Sequence, residues 1–271
     1  MAKDQLPDID TSVPQSARIW DYWLGGKENF PADRAAGDAV LRVLPGIAVS
    51  AQQDRAFLGR AVRFLVRQGI RQFLDLGSGL PTVDNTHEVA QRVAPSSRIV
   101  YVDNDPLVQA HARALLQSTP EGACDYVEAD IRDTDLIISE ASRTLDFERP
   151  VGLMLLGVLN HILDDDEARQ IVERLVRRLV PGSYVVISHT CDATTDELDG
   201  EAMRRAVREV MDRGGTPIRA RSPEQIERLF AGTRLLEPGV VSCSRWRPDP
   251  SREPGPEVPH FSGVALVTGD E

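Results

Sequence analysis

The chain has 271 residues, 41% of them hydrophobic and 27% charged, with a net charge of −11. That balance fits a folded protein of one large or two small domains. It excludes a disordered chain and a protein that coats nucleic acid or anionic lipid by long-range attraction. Three scattered cysteines, Cys124, Cys191 and Cys243, supply no disulfide framework. The longest apolar run, Val151 to Leu159, is too short to span a membrane, and the acidic start MAKDQLPDIDTS lacks the apolar stretch of a signal peptide. The cytoplasm is the expected location. Only Lys3 and Lys27 of the 31 basic residues are lysine, a bias read as genome composition and not as function.

In chain order, residues 1–14 are polar, carry Pro7 and Pro14, and read as a loosely held tail. SARIWDYWLGG follows, with Ala17, Trp20 and Leu24 on one helical face and Gly25–Gly26 as its stop. A second helix is expected from about Pro31 to Pro45–Gly46. From Ser50 to Gln68, Phe57, Leu58, Ala61, Val62, Phe64 and Leu65 trace a broad apolar stripe that Gly69 ends. Residues 1–69 are thus expected to form a tail and a helical extension or lid.

From Ile70 the pattern changes. IRQFLDLG, RIVYVD, CDYVEAD, VGLMLLG and SYVVISH are short β-rich segments, each followed by a helical stretch. The clearest helix, at 164–180, opens on a capping box of Asp164 and Glu167 and ends at Pro181–Gly182. Strands alternating with helices imply a parallel sheet covered on both faces, a doubly wound α/β arrangement. Helices at about 196–213 and 223–231 then precede LLEPGVVSCSRW and SGVALVT, joined by the proline-rich RPDPSREPGPEVP. A loop without a crossover helix returns a strand antiparallel. No repeat or boundary interrupts 70–271, which reads as one domain forming a single unit with the extension.

FLDLGSGLPT places Asp75 at the end of the first strand and Gly77-Ser78-Gly79 in the turn after it, where missing Cβ atoms let backbone approach a ligand. The third glycine of the dinucleotide fingerprint is absent, with Pro81 in its region. Leu76 stands two residues before Ser78, so there is no hydrolase elbow. RIVYVDNDP puts Asp103 at the end of the second strand, able to accept both ribose hydroxyls of an adenosine. Asp130 closes the third strand, able to accept from an adenine amino group. For Asp103 alone, a solvated strand-end carboxylate is an equal explanation. Three acidic residues closing successive strands repel one another, and a donor-rich ligand would compensate.

DLGSG, VYVDND, EADIRD, LLGVLNHI and LVPGSYVVISH resemble the successive motifs of class I S-adenosylmethionine-dependent methyltransferases. PQSARIWDYWLGGKENFPADR, FLDLGSGLPT and the late EPGVV…WRP resemble an actinobacterial subfamily of largely uncharacterised members, over residues 12 to 269. The resemblance implies a Rossmann-like doubly wound seven-stranded sheet, mostly parallel with one antiparallel strand near the C-terminus. It implies S-adenosyl-L-methionine as cofactor and methyl transfer to an O, N or C nucleophile of a small-molecule acceptor. Carried over, Asp75, Gly77, Ser78 and Gly79 would line the cofactor's methionine part, and Asp103 would hold the ribose with Asn104 beside the adenine. Asp130 and Ile131 would bracket the base, and Gly157 and Val158 would face the transferable methyl group.

Trp20, Tyr22 and Trp23 concentrate aromatic surface in a chain that is only 5% aromatic. Tyr22, offset from the Trp20 face, and Gly26 are expected to close over the cofactor, an aromatic face attracting the sulfonium. Burial of this helix against the core explains the tryptophans equally well. His161 stands where methyltransferases of small molecules often carry histidine and is the candidate general base; a histidine satisfied at a strand end is the competing account. His189 and Cys191 lack a partner pair at zinc spacing, and Asp164, Asp165 and Asp166 suit a helix N-terminus, so no metal is expected. Net charge and the lack of an N-P-P-Y type signature argue against a nucleic-acid substrate, no membrane partner is expected, and oligomeric state is left open. A non-catalytic S-adenosylmethionine-binding regulatory protein is the alternative, with an NAD(P)-dependent oxidoreductase behind it.

Overall fold

The computed structural model describes residues 10–108, 110, 117–251 and 253–269. Three helices come first: α1 (Ser16–Trp23), α2 (Pro31–Val43) and α3 (Ile47–Arg67). Pro31 opens α2, where its missing N–H is not needed. In α3, Ser50, Asp54, Phe57, Leu58, Ala61 and Leu65 are buried, a stripe at helical period facing the sheet. Of the expected loose tail, residues 1–9 lie outside the described residues. Residues 10–14 are held, because the buried Arg18 guanidinium donates to the Asp10 and Val13 carbonyls and Pro14 is buried.

Alternation then follows as β1 (Gln72–Leu76), α4 (Thr86–Val93), β2 (Arg98–Asp103), β3 (Ala123–Glu128), α5 (Thr134–Ala141), β4 (Gly152–Leu156), α6 (Asp165–Val176) and β5 (Tyr184–Thr190). The chain ends through α7 (Gly200–Asp212), α8 (Pro223–Arg228), β6 (Arg234–Leu235), β7 (Val241–Ser242) and β8 (His260–Leu266). The strand order is β3-β2-β1-β4-β5-β8-β6, with β7 also on β8. β1 to β5 pair in parallel and β8 runs antiparallel to β5, which is the expected mostly parallel Rossmann-like sheet. The expected count of seven needs one correction. LLEPGVVSCSRW is split, because Pro238 has no N–H to give a ladder and Gly239 takes φ 87°. Its two pieces, β6 and β7, pair with opposite ends of β8, so seven positions hold eight segments. The Asp164 side chain does cap α6, accepting from the Glu167 N–H at 2.8 Å, but the helix stops at Val176 and continues only as turns.

Side chains alternate between the two faces of the sheet. Leu74, Leu153, Leu155, Val185 and Ile187 point to one face, where α5, α6 and α8 bring Ile137, Ile171, Leu175 and Ile226. Phe73, Met154, Val186 and Val264 point to the other, against Phe57, Val62 and Leu65 of α3 and against Trp246. Each fully buried side chain of this kind contributes about 1.5–3 kcal/mol. The same period directs Asp75, two residues after Phe73, and His260, four before Val264, toward α3. A separate cluster joins Ile19, Val40 and Ile47 to Met203, Ala206 and Val210, so the N-terminal helices and α7 cover the carboxyl end of the sheet together.

Candidate active site

Parallel register brings the ends of the strands to one edge: Leu76 lies opposite Val102 and Leu155, and Asp103 opposite Glu128. A cavity of about 410 Å³ opens there, within the usual small-molecule range of roughly 300–1,000 Å³. Its wall includes Asp75, Gly77, Ser78, Gly79, Asp103 and Asn104, and, past the ends of β3 and β4, Asp130, Ile131, Gly157, Val158 and His161. The three strand-end aspartates therefore share one space.

The turn after β1 is built from glycine for two different reasons. Gly77 takes φ 70°, and a Cβ there would lie 2.4 Å from the Val158 Cβ. Gly79 takes φ 62° and has nothing within 4 Å of the missing Cβ, leaving a cradle that a side chain would fill. Asp103 organises this turn. Its Oδ2 accepts the Gly79 N–H at 2.8 Å and its Oδ1 the Asp105 N–H at 3.0 Å. A carboxylate has about four acceptor positions, so roughly half its capacity is left for a ligand. Burial pushes the Asp103 carboxyl above its ordinary range, and the backbone N–H groups oppose it.

Asp75 is fully enclosed, and burial pushes its carboxyl up to about 6. The Thr86 hydroxyl, donating to Oδ2 at 2.6 Å, and the nearby Arg55 work against that rise, while the charge of Asp103 adds to it. Asp130 stands nearer the rim; its Oδ1 accepts the Arg132 N–H at 2.9 Å, and the Arg132 guanidinium is bonded on to Glu167.

On the other side of the cavity, His161 closes a 3-10 turn (Val158–His161) after β4. Its Nδ1 lies 3.0 Å from the Pro217 carbonyl. A carbonyl only accepts, so Nδ1 carries the proton and Nε2 keeps its lone pair. Burial pushes this imidazole down, toward its neutral form. Beyond it stand Trp20 and His260, ring centres 5.4 Å apart, with Asp54 of α3 beside His260. Neither His260 nor Asp54 was among the residues expected from sequence. A signal for Asp54 existed, since a carboxylate inside the apolar stripe of a helix needs a reason to be there.

Two expected residues stand outside the cavity wall. Positions two apart on a helix differ by about 200°, so Tyr22 cannot share the face of Trp20. Its hydroxyl donates to Asp38 at 2.7 Å, and its ring packs on Gly37 of α2. Gly26 abuts Asp21, whose Oδ1 would be 1.9 Å from a Cβ there. Asn29 donates to Asp21 at 2.8 Å and Arg18 to Asp33 at 3.1 Å, so these polar groups bind one another. Trp20, Trp23 and Leu24 line the cavity in place of Tyr22 and Gly26. His189 is also occupied: its Nε2 accepts from Arg221 at 2.7 Å, and burial first, then the guanidinium, push it down to about 3. Asp165 pairs with Arg219 and Arg221. No helix among the described residues is long and apolar enough to cross a membrane.

Comparison with known proteins adds a lineage to this geometry. The profile of the S-adenosyl methyltransferase family matches residues 2–268. A DUF574 family protein of Streptomyces avermitilis superposes with a TM-score of 0.87 at 43% identity, covering 95% of this chain and 98% of that one. A Thermobifida fusca protein carrying a methyltransferase designation gives 0.86 at 42% identity, covering 97% and 98%. A carboxy-S-adenosyl-L-methionine synthase of Chromohalobacter salexigens is 31% identical over 153 residues, 56% of this chain and 50% of the relative, so the match spans about half of that protein.

Proposed function

This chain belongs to the S-adenosyl methyltransferase family and takes S-adenosyl-L-methionine as its methyl donor, and we propose that it methylates an O, N or C nucleophile on a small molecule in the cytoplasm. One observation carries the reading: a single cavity runs from Asp103 and Gly79 to Ile19, Val40 and Met203. Its polar end carries acceptors suited to a nucleoside's hydroxyl and amino groups, and its other end is apolar. The free thiols of Cys124, Cys191 and Cys243 suit a reducing compartment.

The residues present fit the donor. Asp103 has acceptor capacity left for the ribose hydroxyls, and Gly79 leaves the cradle beside it open. Asn104, Asp130 and Ile131 would flank the base. Asp75 and the Gly77–Gly79 turn would hold the methionine part, and Gly157 with Val158 would face the methyl group. Bound there, the sulfonium supplies a methyl group already activated for in-line displacement. The chain's own task is then to align and dehydrate the acceptor. The His161 Nε2 can take a proton from an acceptor hydroxyl or amine. Residues 1–69 would close the side of the cavity while 70–271 carry the cofactor, the two acting as one unit.

Calorimetry with S-adenosylhomocysteine, followed by transfer of labelled methyl groups into a metabolite extract, tests this. Label is expected in the low-molecular-weight fraction. Label confined to macromolecules, or stabilisation by NAD and not by S-adenosylhomocysteine, overturns it.

A further inference from the structure

The part of the cavity away from Asp103 and Asp130 lies under α1, α2 and α7 and beside β8. Its walls are apolar, with Ile19, Val40, Ile47, Met203, Ala206 and Val210. Two carboxylates, Asp21 and Asp54, stand among them. The cations that line the cavity among the described residues, Arg55 and Arg132, are engaged elsewhere: Arg55 with the Val83 carbonyl and Asn85, Arg132 with Asp130 and Glu167. Asp21 already accepts from the Glu28 N–H and from Asn29.

Asp54 and His260 are arranged differently. His260 is 2% exposed and starts β8 opposite Thr190, the last residue of β5. That register puts it on the half of the sheet away from β2 and β3. Its Nε2 has no hydrogen-bond partner among the described residues, and the nearest carboxylate oxygen, Asp54 Oδ1, is 3.6 Å away. That separation is too long for a direct hydrogen bond and short enough for one atom to reach both. The Cys243 thiol donates a weak hydrogen bond to Asp54 Oδ1 at 3.6 Å, leaving that oxygen room for a second donor, and Trp20 packs tilted against the imidazole. A buried imidazole nitrogen left unmet is unfavourable until a ligand completes it.

We propose that His260 and Asp54, backed by the Trp20 ring, seat the amino group of the methyl acceptor, an apolar amine whose hydrocarbon part fills the chamber under α1, α2 and α7. This rests on the cavity being the methyltransferase site. An amine has N–H groups enough to donate to Nε2 and Oδ1 at once, whereas a hydroxyl has a single proton to give. The Asp54 carboxylate, which feels the Arg55 and Arg60 guanidinium groups without being bonded by them, attracts the N–H donors of a neutral amine, and an indole face adds to that attraction. A carboxylate-bearing acceptor would meet Asp21 and Asp54 with no guanidinium or ammonium from this wall to receive it. Burial pushes the His260 imidazole down while the Asp54 charge works against that, and in the tautomer with the proton on Nδ1 its Nε2 is an acceptor.

The test titrates 2-phenylethylamine, 2-phenylethanol and phenylacetate into the protein, with and without S-adenosylhomocysteine, while NMR follows the imidazole nitrogens of labelled histidine. The amine should bind and shift the His260 signals, with phenylacetate at least tenfold weaker. Asp54→Asn and His260→Gln should each weaken the amine at least fivefold and leave S-adenosylhomocysteine affinity within twofold. No amine binding, equal binding of the three probes, or unchanged amine affinity in both variants overturns the seat. Loss of S-adenosylhomocysteine affinity in the variants overturns it too, giving the pair to the amino-acid end of the cofactor. Amine binding by a protein that does not bind S-adenosylhomocysteine refutes the methyltransferase site and not the amine seat.

Discussion

Asp75, Asp103 and Asp130 reach the cavity because each lies at or just past the end of a strand whose register with its neighbours is fixed along its whole length. The cap that faces them, α1 with α2, reaches it by another route. There the polar residues Arg18 with Asp33 and Asp21 with Asn29 bond to each other, and the cavity is faced by Trp20, Trp23 and apolar neighbours with Asp21, already engaged, among them. A strand end delivers a functional group at a set place. A short helix has to be latched before it can present any surface, and its latch uses the same residue types that function would.

The largest test of this contrast is removal of the latch. Arg18 and Asp33 are 2% and 0% exposed, and Asp33 also accepts the Gln15 and Phe30 N–H groups. Arg18→Ala strands a buried carboxylate, a change that typically costs about 3–5 kcal/mol. Urea unfolding should show a loss of that order, with α1 becoming open to protease first. A loss below about 1 kcal/mol would mean that the apolar contacts of Ile19 and Val40 hold the cap unaided.

Asp75 tests the other side. Its folded carboxyl titrates near 6 against an ordinary value of 3.8, so the folded state holds the proton more tightly than the unfolded one. Its burden on the fold is therefore absent below about pH 4, grows as the pH rises to about 6, and is complete above that. The full effect corresponds to about 3 kcal/mol. Asp75→Asn should gain up to about that much stability at pH 7.5 and nothing near pH 4, as read by urea unfolding at both. A variant that is no more stable at pH 7.5 refutes the buried, ionised carboxylate. A stabilised variant that also binds S-adenosylhomocysteine less well sharpens the comparison, because it shows a strand-end charge kept for a ligand at the expense of the fold.

What the sequence revealed follows the same division. β1 to β5, their terminal aspartates and the glycine turn were legible because period-two burial and turn chemistry are local. The antiparallel β8 was legible because the proline-rich loop before it holds no crossover helix. His260 with Asp54 was not, since they meet only when β8 is laid beside β5 under α3, across 206 positions of chain. Tyr22 was ambiguous for a different reason. An aromatic residue beside two glycines reads equally as a lid or as packing, and only the direction of α1 relative to α2 separates them.

Asp103 comes next in size. Its carboxylate holds the Gly79 turn and, in the proposed complex, the ribose. Asp103→Ala should weaken S-adenosylhomocysteine by about 1.5–3 kcal/mol, ten- to a hundredfold by calorimetry. Unchanged affinity would place the ribose away from β2.

The smallest effect belongs to Tyr22. Its hydroxyl bond to Asp38 lies at the surface of the cap, and that bond raises the Tyr22 pKa by favouring the protonated phenol. Tyr22→Phe removes one exposed hydrogen bond and leaves the ring on Gly37, so the expected loss is about 0.5 kcal/mol. S-adenosylhomocysteine affinity should stay within twofold. The outcome discriminates between two states of α1. If the helix keeps this orientation when ligand is bound, Tyr22 has no route to the sulfur and the phenol is dispensable. A tenfold loss of affinity would require α1 to turn by about half a revolution and break its contacts with α2, returning Tyr22 to the lid and making the cap a moving part.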